Sequence, residues 1–165
     1  MIGNDVIDLA LARKESDWQR EGFLDKIFTY KEQLLILDAK NPEIMVWNLW
    51  SRKEAAYKIY NRQSGIRGYF PLQFECFDLK ISNQFIFGKV SIKDNVYFTK
   101  TTITKQFINT IAVEKSDDFN AIKQLKNRDN LMKINGIPDF IEKCNLNSRA
   151  VSISHHGRFE QIISI

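Results

Sequence analysis

The hydrophobic period of the chain changes from helical to strand-like at "RQSGIRGYFP", residues 62–71. Upstream it is helical: the segment from about Glu43 to Asn61 gathers Val46, Trp47, Leu49, Trp50, Ala56, Tyr57 and Tyr60 into one apolar sector when laid out at about 100° per residue. Downstream come short runs rich in Phe, Ile, Val and Thr, "LQFECFDLKI", "QFIFGKVSI", "VYFTKTTIT" and "FINTIAVE", which read as strands with "KDN" as a hairpin turn. Helices followed by strands are the pattern of an α+β domain. The 165 residues hold one such domain with a real core, or a smaller one with an appended tail, and not two independent folds.

The first strand is expected in "IGNDVIDLAL", where Asp5 and Asp8 interrupt a β-branched run. A first helix is expected over "KESDWQREGFL". A second, "FTYKEQLLILDA", follows Thr29, with Glu32 three residues on as in a capping box. Pro42 ends that helix and opens the next. Beyond residue 115 the chain is polar and reads as helical in pieces, "DDFNAIKQLKNRDNLMK" and then "PDFIEKC" from Pro138, before a strand-like ending, "RAVSISHHGRFEQIISI". That ending echoes "TITKQFINTIAV": Phe107, Ile111 and Val113 match Phe159, Ile163 and Ile165 if two residues are inserted, although two unrelated strands could share such a pattern by chance.

Hydrophobic residues at 44% and charged residues at 27% exclude a disordered chain. Lys plus Arg outnumber Asp plus Glu by 24 to 20, a net +4, so nucleic acid, a nucleotide or an acidic protein would all suit as partner. The N-terminus has acids where a signal peptide needs apolar residues, and no apolar run approaches the ~20 residues that span a bilayer, so a cytoplasmic protein without a membrane segment is expected. Cys76 and Cys144 lack CxxC spacing and read as reduced, structural residues.

Four separated pieces carry chemistry: "GNDVIDL" with Asp5, "FTYKEQ" with Glu32, "WSRKEAAYK" with Lys53, Glu54 and Lys58, and "SISHHG" with Ser154 and His155. Singly, each has a plain structural alternative. Asp5 could be a strand-end turn residue, Glu32 a capping partner, Glu54 with Lys58 an i,i+4 pair worth about 0.3–0.5 kcal/mol, and His155 a solvated loop residue.

Together and in this order the pieces resemble the 4'-phosphopantetheinyl transferase superfamily, and in particular its short holo-acyl-carrier-protein synthase branch. The family's strand G-I-D-[IV]-[IV]-E-[IL] is matched by Gly3 to Leu9, and its F-T-x-x-E helix start by Phe28, Thr29 and Glu32. Its W-[ST]-x-K-E-A-x-x-K helix is matched by Trp50, Ser51, Lys53, Glu54, Ala55 and Lys58, and its S-x-S-H strand by Ser152, Ser154 and His155. The resemblance implies an α+β fold with helices packed on a small, mainly antiparallel sheet. It implies transfer of the phosphopantetheine arm of coenzyme A to a serine of an apo acyl or peptidyl carrier protein, with release of adenosine 3',5'-bisphosphate. Mg²⁺ would be held by Asp5 and Glu54, since a hard cation takes one or two carboxylates plus water and phosphate oxygens. Lys58 would act as a point charge at the phosphates, with Glu54 or a metal-bound water taking the serine proton. Lys53, Lys58, Ser154 and His155 would contact coenzyme A.

The match departs from the family at three places. Ile7 stands where larger, two-lobed members carry a second carboxylate, and Lys26 stands where the short branch often has Arg, which forks a phosphate as Lys does not. The third is the tail: in the short branch S-x-S-H ends the domain, whereas here it arrives some fifty residues after the equivalent "TITK". A core over 1–115 and a tail over 116–165, a helical linker plus the "SISHHG" strand, are therefore expected. The tail would belong to the same domain or complete the site, either within a monomer or across a homo-oligomer such as a trimer. Two rivals stand beside this reading: an inactive homologue that only binds carrier proteins, and a small basic nucleic-acid-binding domain that would use the aromatic and basic residues of "VYFTKTTITKQF". Net +4 is modest for the latter, and no nucleic-acid partner is expected.

Overall fold

The computed structural model describes residues 1–68, 70–82, 84–126, 128–129, 131–134, 137–141 and 148–165. The order is β1 (Ile2–Asp8), α1 (Leu9–Glu15), α2 (Phe23–Ile27), α3 (Tyr30–Leu37), α4 (Pro42–Ser64), β2 (Glu75–Ser82), β3 (Phe85–Ile92), β4 (Asn95–Ile103) and β5 (Phe107–Val113). The tail continues with β6 (Lys123–Gln124), β7 (Leu131–Ile134), β8 (Ile137–Ile141), β9 (Ser148–His156) and β10 (Phe159–Ser164). Among the described residues two five-stranded sheets result, in the orders β1-β5-β4-β3-β2 and β6-β10-β9-β8-β7, and every pairing is antiparallel.

Helix α4 is delimited by its own chemistry. The Asn41 side chain accepts from Ile44 N at 3.2 Å, Pro42 takes the first turn where its missing N–H is harmless, and Gly65 closes the far end at φ 69°. Its apolar side, with Val46, Leu49, Ala55, Ala56 and Ile59, packs on Val90, Ile92, Ile108 and Ala112 of the first sheet, all fully or almost fully buried. Each large aliphatic side chain so removed from water contributes about 1.5–3 kcal/mol. Contact with β1 is closest at Gly3, where a Cβ would stand 2.0 Å from the Ala55 carbonyl oxygen. That close approach brings the strand-borne Asp5 to the same side of the sheet as Glu54 and Lys58.

Strands β1 to β5, α3 with its Thr29 capping box, and α4 follow the expectations. Three helical expectations do not. The span 14–24 expected as the first helix is mostly a turn between two short helices: Asp8 caps α1 early by accepting from Ala10 N and Leu11 N, so that it ends at Glu15, and Gly22, left-handed at φ 72°, starts α2 afresh. The stretch from Asp117 makes a 3-10 turn, Ser116–Ala121, and then enters β6 and β7. Pro138 lies in β8 rather than opening a helix, opposite Lys133 of β7. Pairing across the second sheet overrides the local helical tendency of these short polar pieces. Cys144 falls outside the described residues. Among the described residues no helix is long and apolar enough to cross a membrane.

The tail sheet meets the core through Ile2, Val113 and Ile163, and the Phe107 and Phe159 rings lie 4.9 Å apart. Two matched positions of the internal repeat thus face each other. The β9–β10 turn is latched to the end of β1: Arg158 makes two side-chain bonds, 2.8 Å each, to the buried Asp8 carboxylate, and its backbone N donates to the same group at 3.1 Å. Gly157, at φ 55°, permits this approach, since a Cβ there would stand 2.6 Å from Asp8 Oδ2.

Candidate active site

Three elements converge on one edge of the molecule. Strand β1 brings Asp5, helix α4 brings Ser51, Glu54 and Lys58 on successive turns, and tail strand β9 brings Ser154. Lys58 Nζ donates to the Asn4 carbonyl at 2.5 Å and to the Ile153 carbonyl at 3.2 Å, and stands 3.9 Å from Asp5 Oδ1. An ammonium has three donors, so two backbone bonds leave one for another anion. Ser154 Oγ donates to Asp5 Oδ1 at 3.1 Å, and Ser51 Oγ donates to the Asp5 carbonyl at 3.4 Å.

Burial shapes the charges. Desolvation raises the Asp5 carboxyl above its ordinary range, against the pull of nearby Lys58 and Ser154. Glu54 is pushed up from 4.5 to about 7, first by burial and then by the negative charge of Asp5, with Lys58 opposing. Lys58 itself is lowered by burial, with Asp5 and Glu54 opposing. Among the described residues Glu54 has no hydrogen bond or ion pair, and the charge of Lys58 only partly offsets burial and the repulsion from Asp5.

Two cavities flank this cluster. One, of about 260 Å³, is lined by Asp5, Ile7, Trp47, Trp50, His155 and His156. The other, of about 200 Å³, has Glu54 at its rim and walls of Tyr57, Phe70, Pro71 and Phe74. His155 is exposed and has no hydrogen bond among the described residues, which leaves both ring nitrogens open to a ligand in the first cavity.

Lys53 lines the same cavity as Glu54. Its ammonium, 3% exposed, donates to Glu32 Oε2 at 2.7 Å, to the Ile27 carbonyl at 2.8 Å and to the Pro71 carbonyl at 2.9 Å, so no donor remains for coenzyme A. Glu32 is fully buried and also accepts from Thr29 N and Cys76 N, each within 2.8 Å. The F-T-x-x-E motif therefore ties α3, α4 and β2 together. Arg13, 53% exposed, forks onto Glu43.

His156, Asp8 and Arg158 carry more than the sequence reading assigned them. His156 Nδ1 accepts from Asp8 N at 2.8 Å while Nε2 faces Glu15 at 3.4 Å. The signal was present in the spacing: Ser152, Ser154 and His156 alternate along one strand and so share one face.

Residues 1–112 match the model of the 4'-phosphopantetheinyl transferase superfamily, and the chain belongs to that superfamily. Phosphopantetheinyl transfer from coenzyme A to a carrier protein is the activity this membership carries. Among solved structures the chain is similar to the holo-[acyl-carrier-protein] synthase of Thermotoga maritima, at 14% identity over 78% of each chain with a TM-score of 0.49. No curated protein matches it.

Proposed function

We propose that this chain is a Mg²⁺-dependent phosphopantetheinyl transferase of the holo-acyl-carrier-protein synthase type, acting in the cytoplasm and releasing adenosine 3',5'-bisphosphate. The observation that carries the reading is Glu54: a half-buried carboxylate beside Asp5 and Lys58, with no hydrogen bond or ion pair among the described residues. The donor set fits a hard divalent cation. Among the described residues no three His, Cys, Asp or Glu side chains cluster, so two carboxylates would leave the remaining positions to water and phosphate oxygens, the pattern Mg²⁺ prefers. When bound, the cation supplies charge neutralisation for the pyrophosphate and the departing bisphosphate.

The chain's own residues account for the rest. Lys58, held by two backbone carbonyls, has one donor left that phosphate oxygens could take, and His155 lines the neighbouring cavity as a further donor. The serine Oγ attacks the phosphorus that bears the pantetheine arm, the bond to the adenosine bisphosphate breaks, and the serine proton passes to the Glu54 carboxylate. The apolar cavity beside Glu54 fits the uncharged pantetheine arm. Completion of the site within one chain is supported by β9 and the Asp8–Arg158 latch, which belong to the same molecule as Asp5 and Glu54.

The test incubates the full chain with coenzyme A, Mg²⁺ and apo carrier proteins of fatty acid, polyketide and peptide synthesis. Mass spectrometry should show one phosphopantetheine increment on at least one carrier, lost in EDTA. Carrier binding without an increment on any of them would make this an inactive homologue.

A further inference from the structure

Strand β1 pairs with β5 along one edge, and its other edge is met by side chains of the tail. Asn4 N donates to Ser152 Oγ at 2.9 Å, Val6 N to Ser154 Oγ at 2.9 Å and Asp8 N to His156 Nδ1 at 2.8 Å. Alternate residues of β9 thus satisfy alternate N–H groups of β1, in the place where a further strand would otherwise pair. Of these three residues, only Ser154 also hydrogen-bonds a side chain of the candidate active site among the described residues. Its hydroxyl donates to Asp5 Oδ1 at 3.1 Å, and the residue is 5% exposed.

A hydroxyl has one proton and two lone pairs. With the proton on Asp5 and one lone pair facing Val6 N, Ser154 has nothing to donate to a phosphate. Among the described residues Ser51, Lys58 and His156 also act on the Asp5 carboxyl, but Ser51 Oγ bonds the Asp5 backbone carbonyl at 3.4 Å and Lys58 stands 3.9 Å from Oδ1, so Ser154 makes the shortest contact to a carboxylate oxygen. We infer that Ser154 is a positioning residue: the tail strand, acting within its own chain, fixes the Asp5 carboxylate in the orientation from which it binds the cation. This deepens the function proposed above and rests on Asp5 being a cation ligand. Partners that orient ligating carboxylates typically change metal affinity by about 10–100-fold when removed.

Ser152 supplies the control, because it makes the equivalent bond to β1 but stands away from Asp5. Mn²⁺ binding to the full chain, followed by electron paramagnetic resonance, would be compared across the variants. Ser154→Ala should weaken Mn²⁺ binding about tenfold or more, Ser154→Thr should restore it, and Ser152→Ala should leave it at the wild-type value. Both alanine variants should lower the melting temperature to a similar degree, since each leaves one β1 N–H without its partner. Coenzyme A affinity in EDTA should be unchanged in Ser154→Ala. Equal Mn²⁺ affinities for the two alanine variants would overturn the inference, as would a loss of coenzyme A affinity in EDTA, which would make Ser154 a direct phosphate contact. If Ser154→Ala does not fold, Ser154→Cys, a near-isostere with a weak donor, should show the same loss of Mn²⁺ affinity, and wild-type binding by it would equally overturn the inference. Asp5→Asn separates the two levels: wild-type Mn²⁺ binding there would remove Asp5 from the cation site altogether, whereas its loss alongside equal Ser152 and Ser154 variants would defeat only the positioning role.

Discussion

On the flank of α4 that faces α3, Lys53 meets Glu32 with every donor and both carboxylate oxygens engaged by protein atoms. One residue further along the helix, on the flank that faces β1, Glu54 is partly buried opposite Asp5 and has no such partner. Both are charged groups taken out of water, which is unfavourable unless hydrogen bonds and an opposite charge offset it. At Lys53 the offset is complete inside the chain, so its role is structural. At Glu54 it is incomplete, and the missing positive charge is what a cation or a proton would provide.

The largest effect should come from breaking the complete node. Lys53→Met leaves Glu32 as a buried charge without its counter-ion and should destabilise the fold by about 3–5 kcal/mol in urea denaturation. A loss under about 1 kcal/mol would show that the node is not what ties α3 to α4, and the contrast between the two flanks would fail.

Next in size is Glu54→Gln, which keeps the shape and removes the charge. It should lower phosphopantetheine transfer by at least about 100-fold, the usual contribution of a positioned acid or base, while the melting temperature holds or rises. Transfer within a few-fold of wild type would move the chemistry away from α4.

What the sequence disclosed follows the range of the interactions. Helix α4, the α3 capping box and β2 to β5 are legible because periodicity and capping act over a few residues. The tail sheet is not, because "PDFI", Pro138–Ile141, pairs as a strand through partners that local propensity does not encode. The site was legible only as a set of motifs in a known order. That order could not tell Lys53 from Glu54: both lie in the same motif, and only the folded chain shows that Glu32, 21 residues before Lys53, engages one and not the other. The tail motif was readable as chemistry, yet its roles shifted on folding. Ser154 faces Asp5, and His156 rather than His155 meets β1.

The smallest of the three effects is a dependence of stability on pH. Glu54 holds its proton at about 7 in the folded chain against 4.5 ordinarily. Between those values the folded chain binds more protons than the unfolded one, so this residue's contribution to stability is present below about 4.5 and is lost as pH rises through about 7. Glu54→Gln has no such proton to lose. In EDTA the wild type should therefore fall behind the variant by about 1–2 kcal/mol on going from pH 4.5 to 7.5, a figure reduced from the full shift because the site is partly open to water. Millimolar Mg²⁺ should restore the wild type at the upper end and leave the variant unmoved, because the cation binds the folded, deprotonated pair. Parallel pH curves for the two proteins would mean that Glu54 is solvated like any surface acid, and the difference between the two flanks of α4 would then need another cause.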